Sequence, residues 1–138
     1  MDIAWEEVAR QLTGLAHLAT ASADGRPNVA VVSILVEGRV LWLGTNTLSQ
    51  KAKNLASNPR VSIMWQPGAE IYVQGSADLT NDMGEKRRLW EGNLFPYDPA
   101  MFFGSVDNPD FLLVRIEPRT AAVQSMGEHG PTTRRWKA

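Results

Sequence analysis

The chain contains no cysteine, which removes disulfides, thiolate nucleophiles and cysteine-ligated metal sites from its chemistry and fits a reducing compartment. Histidine is nearly as scarce: His17 and His129 are the only two, too few for a metal cluster. Neither sign of charge is in excess. With 14 basic and 15 acidic residues the net charge is -1, so no global field draws nucleic acid or an anionic membrane. Any anion site must be local, and the expected partner is a small molecule. Long apolar runs are also missing. The first residues carry Asp2, Glu6 and Glu7 without the apolar core of a signal peptide, and no stretch is long enough to span a bilayer. The expected location is the cytoplasm.

Against these absences stand 138 residues, 43% hydrophobic and 21% charged, enough for one domain with a sizeable core. No repeat, low-complexity segment or linker divides them, so residues 1–138 read as a single domain. Asp2 is placed to cap a helix with Trp5, Val8 and Leu12 on one face, and Gly14 to end it. Strands follow at Leu15 to Ser22 and Asn28 to Val36, joined by the tight-turn pair Asp24-Gly25, and Glu37-Gly38 turns the chain into Arg39 to Gly44. Connections this short exclude the crossovers of a parallel nucleotide-binding sheet.

The run NVAVVSILV is apolar on both faces and calls for cover on both sides, as in a closed barrel or at a subunit contact. A further hairpin spans Arg60 to Trp65 and Glu70 to Leu79, and Asp82 heads a helix through Trp90. Residues 92–109 form a long loop dense in proline, glycine and aromatics. A sixth strand runs from Phe111 to Glu117, extended by Thr120 to Gln124 after Pro118. The polar tail, residues 125–138, is expected to be partly disordered unless a partner subunit orders it.

The most informative stretch is LWLGTNTLSQKAKNLASNPRV, from Leu41 to Val61. It runs a strand into hydroxyls and a lysine at the start of a short helix, Gln50 to Ala56, with Ser49 at the N-cap. First-turn amides and the helix dipole favour an anion there, whereas the cation Lys51 opposes the dipole and is better explained by something negative nearby. Thr45 supplies one more hydroxyl. The competing reading is an ordinary capped surface helix, with Lys51 and Lys53 as solvated charges and Asn58-Pro59 as its stop signal.

The order helix, DG hairpin, long strand, short hairpin, TNTLSQKAKNLASNPRVSIMW and EIYVQGSADL resembles the pyridoxamine 5'-phosphate oxidase-like flavin-binding split barrels, over roughly residues 3 to 124. The later pattern LW...FPYDPAMFF...DNPDFLLVRIEP resembles the general-stress branch of that superfamily. This likeness implies a mainly β (α+β) fold: a six-stranded antiparallel, Greek-key split barrel with short flanking helices. It also implies a homodimer with FMN, or alternatively the deazaflavin F420, held between subunits. By position, Val29, Ala30, Val31 and Val32 then run along the cofactor ring, while Gly44 and Thr45 with Ser49, Gln50 and Lys51 hold its phosphate. Glu70 falls where the oxidases place a glutamine near the ring.

Two departures limit the likeness. The oxidases carry an arginine near Val29 or Ala30 and another at Gln50, and neither is present; Lys51 is left as the main cation. FMN should therefore bind less tightly, or a cofactor with a different tail is preferred. Arg134, Arg135 and Trp136 do not reproduce the spacing that grips pyridoxamine phosphate, so that oxidase activity itself is not expected.

Trp42 and Trp65 read as packing residues. Trp90, Phe95, Tyr97, Phe102 and Phe103 either line a substrate mouth or cover the barrel end. His17 reads as a hydrogen-bonded structural residue and His129 as solvated, while the RRWK run reads as a solvated tail or, alternatively, as a contact to phosphate or the partner chain. No acid–base constellation stands out, so no catalytic residue is assigned. The expected function is a flavin- or deazaflavin-dependent oxidoreductase passing hydride or electrons to a small hydrophobic acceptor. The alternatives are a cofactor carrier or redox sensor, and a cofactor-free interaction module.

Overall fold

Short turns and alternating apolar residues produce antiparallel pairing almost throughout. In a computed structural model, which describes residues 1–138, the elements in order are α1 (Trp5–Ala9), β1 (Ala16–Ala21), β2 (Pro27–Val32), β3 (Leu35–Glu37), β4 (Val40–Asn46), α2 (Gln50–Leu55), β5 (Arg60–Trp65), β6 (Glu70–Thr80), α3 (Met83–Glu91), α4 (Ala100–Phe103), β7 (Phe111–Gly127) and β8 (Gly130–Lys137). No helix is long and apolar enough to cross a membrane.

The strands form one sheet in the order β2-β1-β5-β6-β7-β4-β3, with β8 added to β7. Its two outermost strands, β2 and β3, are consecutive pieces of chain joined only by Ser33 and Ile34. Three residue steps span at most about 11 Å. The sheet must therefore curl until its ends meet, yet β2 is paired with β1 alone and β3 with β4 alone, so no ladder bridges the junction. This is an antiparallel split barrel. Inside it Leu18, Leu43, Ile63, Ile71, Val73, Val114 and Ile116 are buried, each worth on the order of 1.5–3 kcal/mol relative to exposure. Trp65 joins this core, and Trp42 packs with Leu89, Phe95, Phe111 and Leu113 in a second cluster beneath α3.

Eight strands stand where six were expected, for two physical reasons. The run Asn28 to Val36 breaks at Ser33-Ile34, because its first half pairs with β1 and its second with β4 at the opposite end of the sheet. The polar tail is not loose within the subunit. It returns as β8, antiparallel to β7, and its Trp136 ring lies 4.9 Å from that of Trp5. Arg134 pairs with Glu7 at 2.8 Å, and the Ile3 amide donates to the Arg135 carbonyl at 3.0 Å. Asp2 is thereby drawn into a bridge with Arg135, and α1 starts after Ala4 with no side-chain cap and ends well before Gly14.

β7 runs straight through Pro118. The missing proline amide is tolerated because β6 shifts register between Gln74 and Gly75 there. Gly75 permits this close approach: a Cβ would lie 2.3 Å from the Glu117 carbonyl oxygen. A short helix, α4, stands inside the 92–109 stretch that the sequence reads as loop, and the other elements follow the sequence reading, including the Asp82 side chain accepting from the Glu85 amide at 2.9 Å.

Candidate functional site

The unpaired junction of the barrel is where a pocket opens. It has a volume of about 270 Å³ and is lined by Val31, Val32 and Ser33 at the end of β2, by Leu15 before β1, by Leu43 and Gly44 of β4, by Lys51 of α2, and by Tyr97, Phe102 and Phe103 of the 92–109 segment. Such a lining, apolar with a few convergent polar groups, is the ordinary character of a small-molecule site. A larger groove of about 720 Å³ lies across β5 to β8 and includes Tyr72, Gln74, Gln124, Arg135 and Trp136, but it contains none of the positions that the family resemblance assigns to the cofactor.

Lys51 is the only charged residue in the pocket. It is half-buried, has no carboxylate partner, and desolvation pulls its pKa below the ordinary lysine value. Burial pushes the Tyr97 hydroxyl the other way, up, with the Gly44 backbone amide opposing.

The opposite wall is aromatic and fixed. Phe103 and Phe111 lie with centroids 4.5 Å apart, and both rest on Gly44, where a Cβ would come within 2.9 Å of either ring. Tyr97 stacks on Phe95 at 5.3 Å and meets Phe102 edge-on at 5.2 Å. The segment is anchored at its far end: the Asn108 side-chain amide donates to the Phe103 carbonyl at 2.9 Å, and the Thr47 backbone amide to the Asp110 carbonyl at 2.9 Å. Of the five aromatics, Tyr97, Phe102 and Phe103 line the pocket, while Phe95 and Trp90 pack into the second cluster with Trp42, Leu89 and Phe111.

Of the sequence-derived positions, Val31, Val32, Gly44 and Lys51 come together here. Thr45 and Ser49 stand behind Lys51 with their hydroxyls 2.8 Å apart, and Ser49 Oγ accepts the Ala52 amide at 3.2 Å as the N-cap of α2. Gln50 turns away: its amide donates to Asn54 Oδ1 at 2.9 Å, and it lines a polar groove with Arg26 and Asn28. Val29 and Ala30 lie farther back along β2, paired with Ala19 and Leu18. Glu70 is not in the pocket but opens β6, where it accepts the Tyr72 hydroxyl at 3.0 Å. The sequence reading missed Leu15, Ser33 and Leu43. Ser33 alone left a trace, as the single polar residue interrupting NVAVVSILV. No group of three or more His, Asp or Glu side chains converges on a metal position.

Comparison with known proteins bears on this geometry. Residues 4–125 match the family model described as pyridoxamine 5'-phosphate oxidase. The general stress protein 26 of Bacillus subtilis (strain 168) is 24% identical over 115 residues, covering 79% of each chain. The crystal structure of general stress protein 26 from Bacillus anthracis strain Sterne superposes with a TM-score of 0.69 at 23% identity, covering 86% of this chain and 91% of that one. An F420 reductase superposes with a TM-score of 0.62 at 24% identity, covering 83% of this chain and 94% of its own. At these identities the superpositions establish the shared fold.

Proposed function

This chain belongs to the pyridoxamine 5'-phosphate oxidase family, and from that premise we propose that it is a flavin- or deazaflavin-dependent oxidoreductase that uses the junction pocket to bring FMN or F420 to a small hydrophobic acceptor. The observation that carries this reading is Lys51: an ammonium without a carboxylate partner, half-buried in an otherwise uncharged pocket, fits the negative end of a ligand whose body is apolar. The F420 reductase among the proteins of this fold supports the same cofactor class.

The chain's own residues bind and shield. Val31 and Val32 offer an apolar wall, Gly44 keeps the β4 backbone approachable, and the Tyr97-Phe102-Phe103 segment forms the aromatic wall opposite. When bound, the cofactor supplies the hydride or electron transfer itself, while the protein sets its orientation and electrostatics. No side chain is required as acid or base. Lys51 and Tyr97 are the only titratable groups lining the pocket. Missing cations at Val29, Ala30 and Gln50 argue against pyridoxamine 5'-phosphate oxidase activity, and the lack of cysteine fits a cytoplasmic site of action.

A homodimer belongs to the proposal. Leu15, Val29 and Val31 are 64%, 64% and 60% exposed, and the outer edge of β2 has no hydrogen-bonding neighbour. An apolar edge strand beside a pocket is a surface that proteins normally cover. A second copy seated there would complete the cofactor site.

The test is direct. The purified full chain is inspected for a bound chromophore, titrated with riboflavin, FMN and F420, and then assayed with reduced cofactor and quinone acceptors. Binding followed by turnover supports the oxidoreductase. Binding without turnover supports the carrier or sensor reading, which the absence of an acid–base pair in the pocket also accommodates. No binding of any of the three overturns both.

A further inference from the structure

Resting on the cofactor reading above, we propose that the junction pocket selects its ligand by tail charge, accepting a ring cofactor with a phosphodiester monoanion in preference to one with a phosphomonoester dianion. Within one subunit Lys51 supplies one positive charge, and every other lining group is uncharged. The polar groups nearest it are neutral and add no charge: the Thr45 and Ser49 hydroxyls share one hydrogen bond, Ser49 Oγ also accepts the Ala52 amide, and the Gln50 amide donates to Asn54, which in turn donates to Thr20. A monoanion beside Lys51 makes a neutral pair. A dianion leaves one negative charge uncompensated against valine, leucine and phenylalanine side chains, the arrangement that desolvation penalises most.

A phosphomonoester loses its second proton near pH 6. It therefore enters this pocket as the protonated monoanion, and above that pH its binding must take up a proton. A phosphodiester has no such proton to regain. The groups that face Lys51 are few: Tyr97 comes from the aromatic segment, β2 and β4 contribute none that titrate, and on α2 the next lysine, Lys53, is exposed to solvent. Burial raises the Tyr97 pKa, so its hydroxyl stays neutral across the range of interest.

The experiment compares riboflavin 5'-phosphate with its monomethyl phosphate ester, which has the same ring and ribityl chain and one negative charge fewer at high pH. Dissociation constants for the full-length protein are measured by flavin fluorescence from pH 6 to 8 at constant ionic strength, with riboflavin as the uncharged reference. Titration of Lys51 affects both phosphates and cancels in their ratio. The ratio of phosphate to ester dissociation constants should rise roughly fifty-fold across this range, approaching tenfold per pH unit. A flat ratio with both compounds bound more tightly than riboflavin overturns the charge selection and leaves the cofactor site standing; that is also the result if a partner subunit brings a second cation. If neither phosphate binds better than riboflavin, Lys51 holds no anion, and the inference and the reading beneath it fall together.

Discussion

The Phe103 ring rests directly on Gly44, in the space a β-carbon would fill, with the nearest ring carbon 2.9 Å from that position. A carbon of the Phe111 ring lies equally close to that position, also at 2.9 Å. The missing side chain on β4 thus decides where the aromatic segment sits and how wide the pocket is.

Gly44→Ala forces both rings outward. Overpacking of this kind costs roughly 1–3 kcal/mol, and we expect that loss in urea unfolding together with weaker flavin binding. Unchanged stability and affinity would show that the rings have room to move and do not set the pocket.

Lys86 tests the electrostatics of the second core. It is 1% exposed, its ammonium donates to Asn81 Oδ1, and it lies 5.2 Å from the centre of the Phe111 ring. Desolvation holds its pKa below the ordinary value of 10.5. The unfolded chain therefore binds more protons than the folded one between the folded pKa and 10.5, so this residue's contribution to stability rises with pH in that window. Lys86→Met removes the buried charge. We expect it to be neutral or stabilising by up to about 2 kcal/mol at pH 7, with the wild type closing the gap as pH approaches 10. A variant less stable than wild type throughout would show that the Asn81 hydrogen bond and the ring contact outweigh desolvation.

Val31 tests the proposed dimer. It is 60% exposed on an edge strand, so Val31→Lys has little to disturb within one subunit and should change stability by no more than about 0.5 kcal/mol. Sedimentation should show a dimer for the wild type and a monomer for the variant at micromolar concentration. A wild-type monomer, or a variant dimer, would place the interface elsewhere or remove it.

Much of the fold was legible because its signals are local. Asp24-Gly25 and Glu37-Gly38 set the hairpins, with Gly25 and Gly38 at φ +89 and +59, and Ser49 and Asp82 cap their helices as their positions require. What escaped depends on distant partners. Nothing near Ser33 states that β2 and β3 join opposite ends of the sheet. The polar tail lacks a core pattern of its own, and it is ordered by β7 and by Trp5, which lies more than a hundred residues away. In the site, Lys51 was found from its misfit with the helix dipole, whereas Leu15, Leu43 and the role of Gly44 under two rings emerge only once the barrel has closed.

The central claim is that Lys51 binds the anionic end of a flavin-type cofactor, and Lys51→Met measures it most directly. Titrated with riboflavin 5'-phosphate at pH 6.5, the wild type should quench flavin fluorescence. The variant should bind at least about tenfold more weakly with an unchanged melting temperature, since a charge-assisted hydrogen bond contributes roughly 1.5–3 kcal/mol. Equal affinity in both proteins, or no binding by the wild type, would contradict the account.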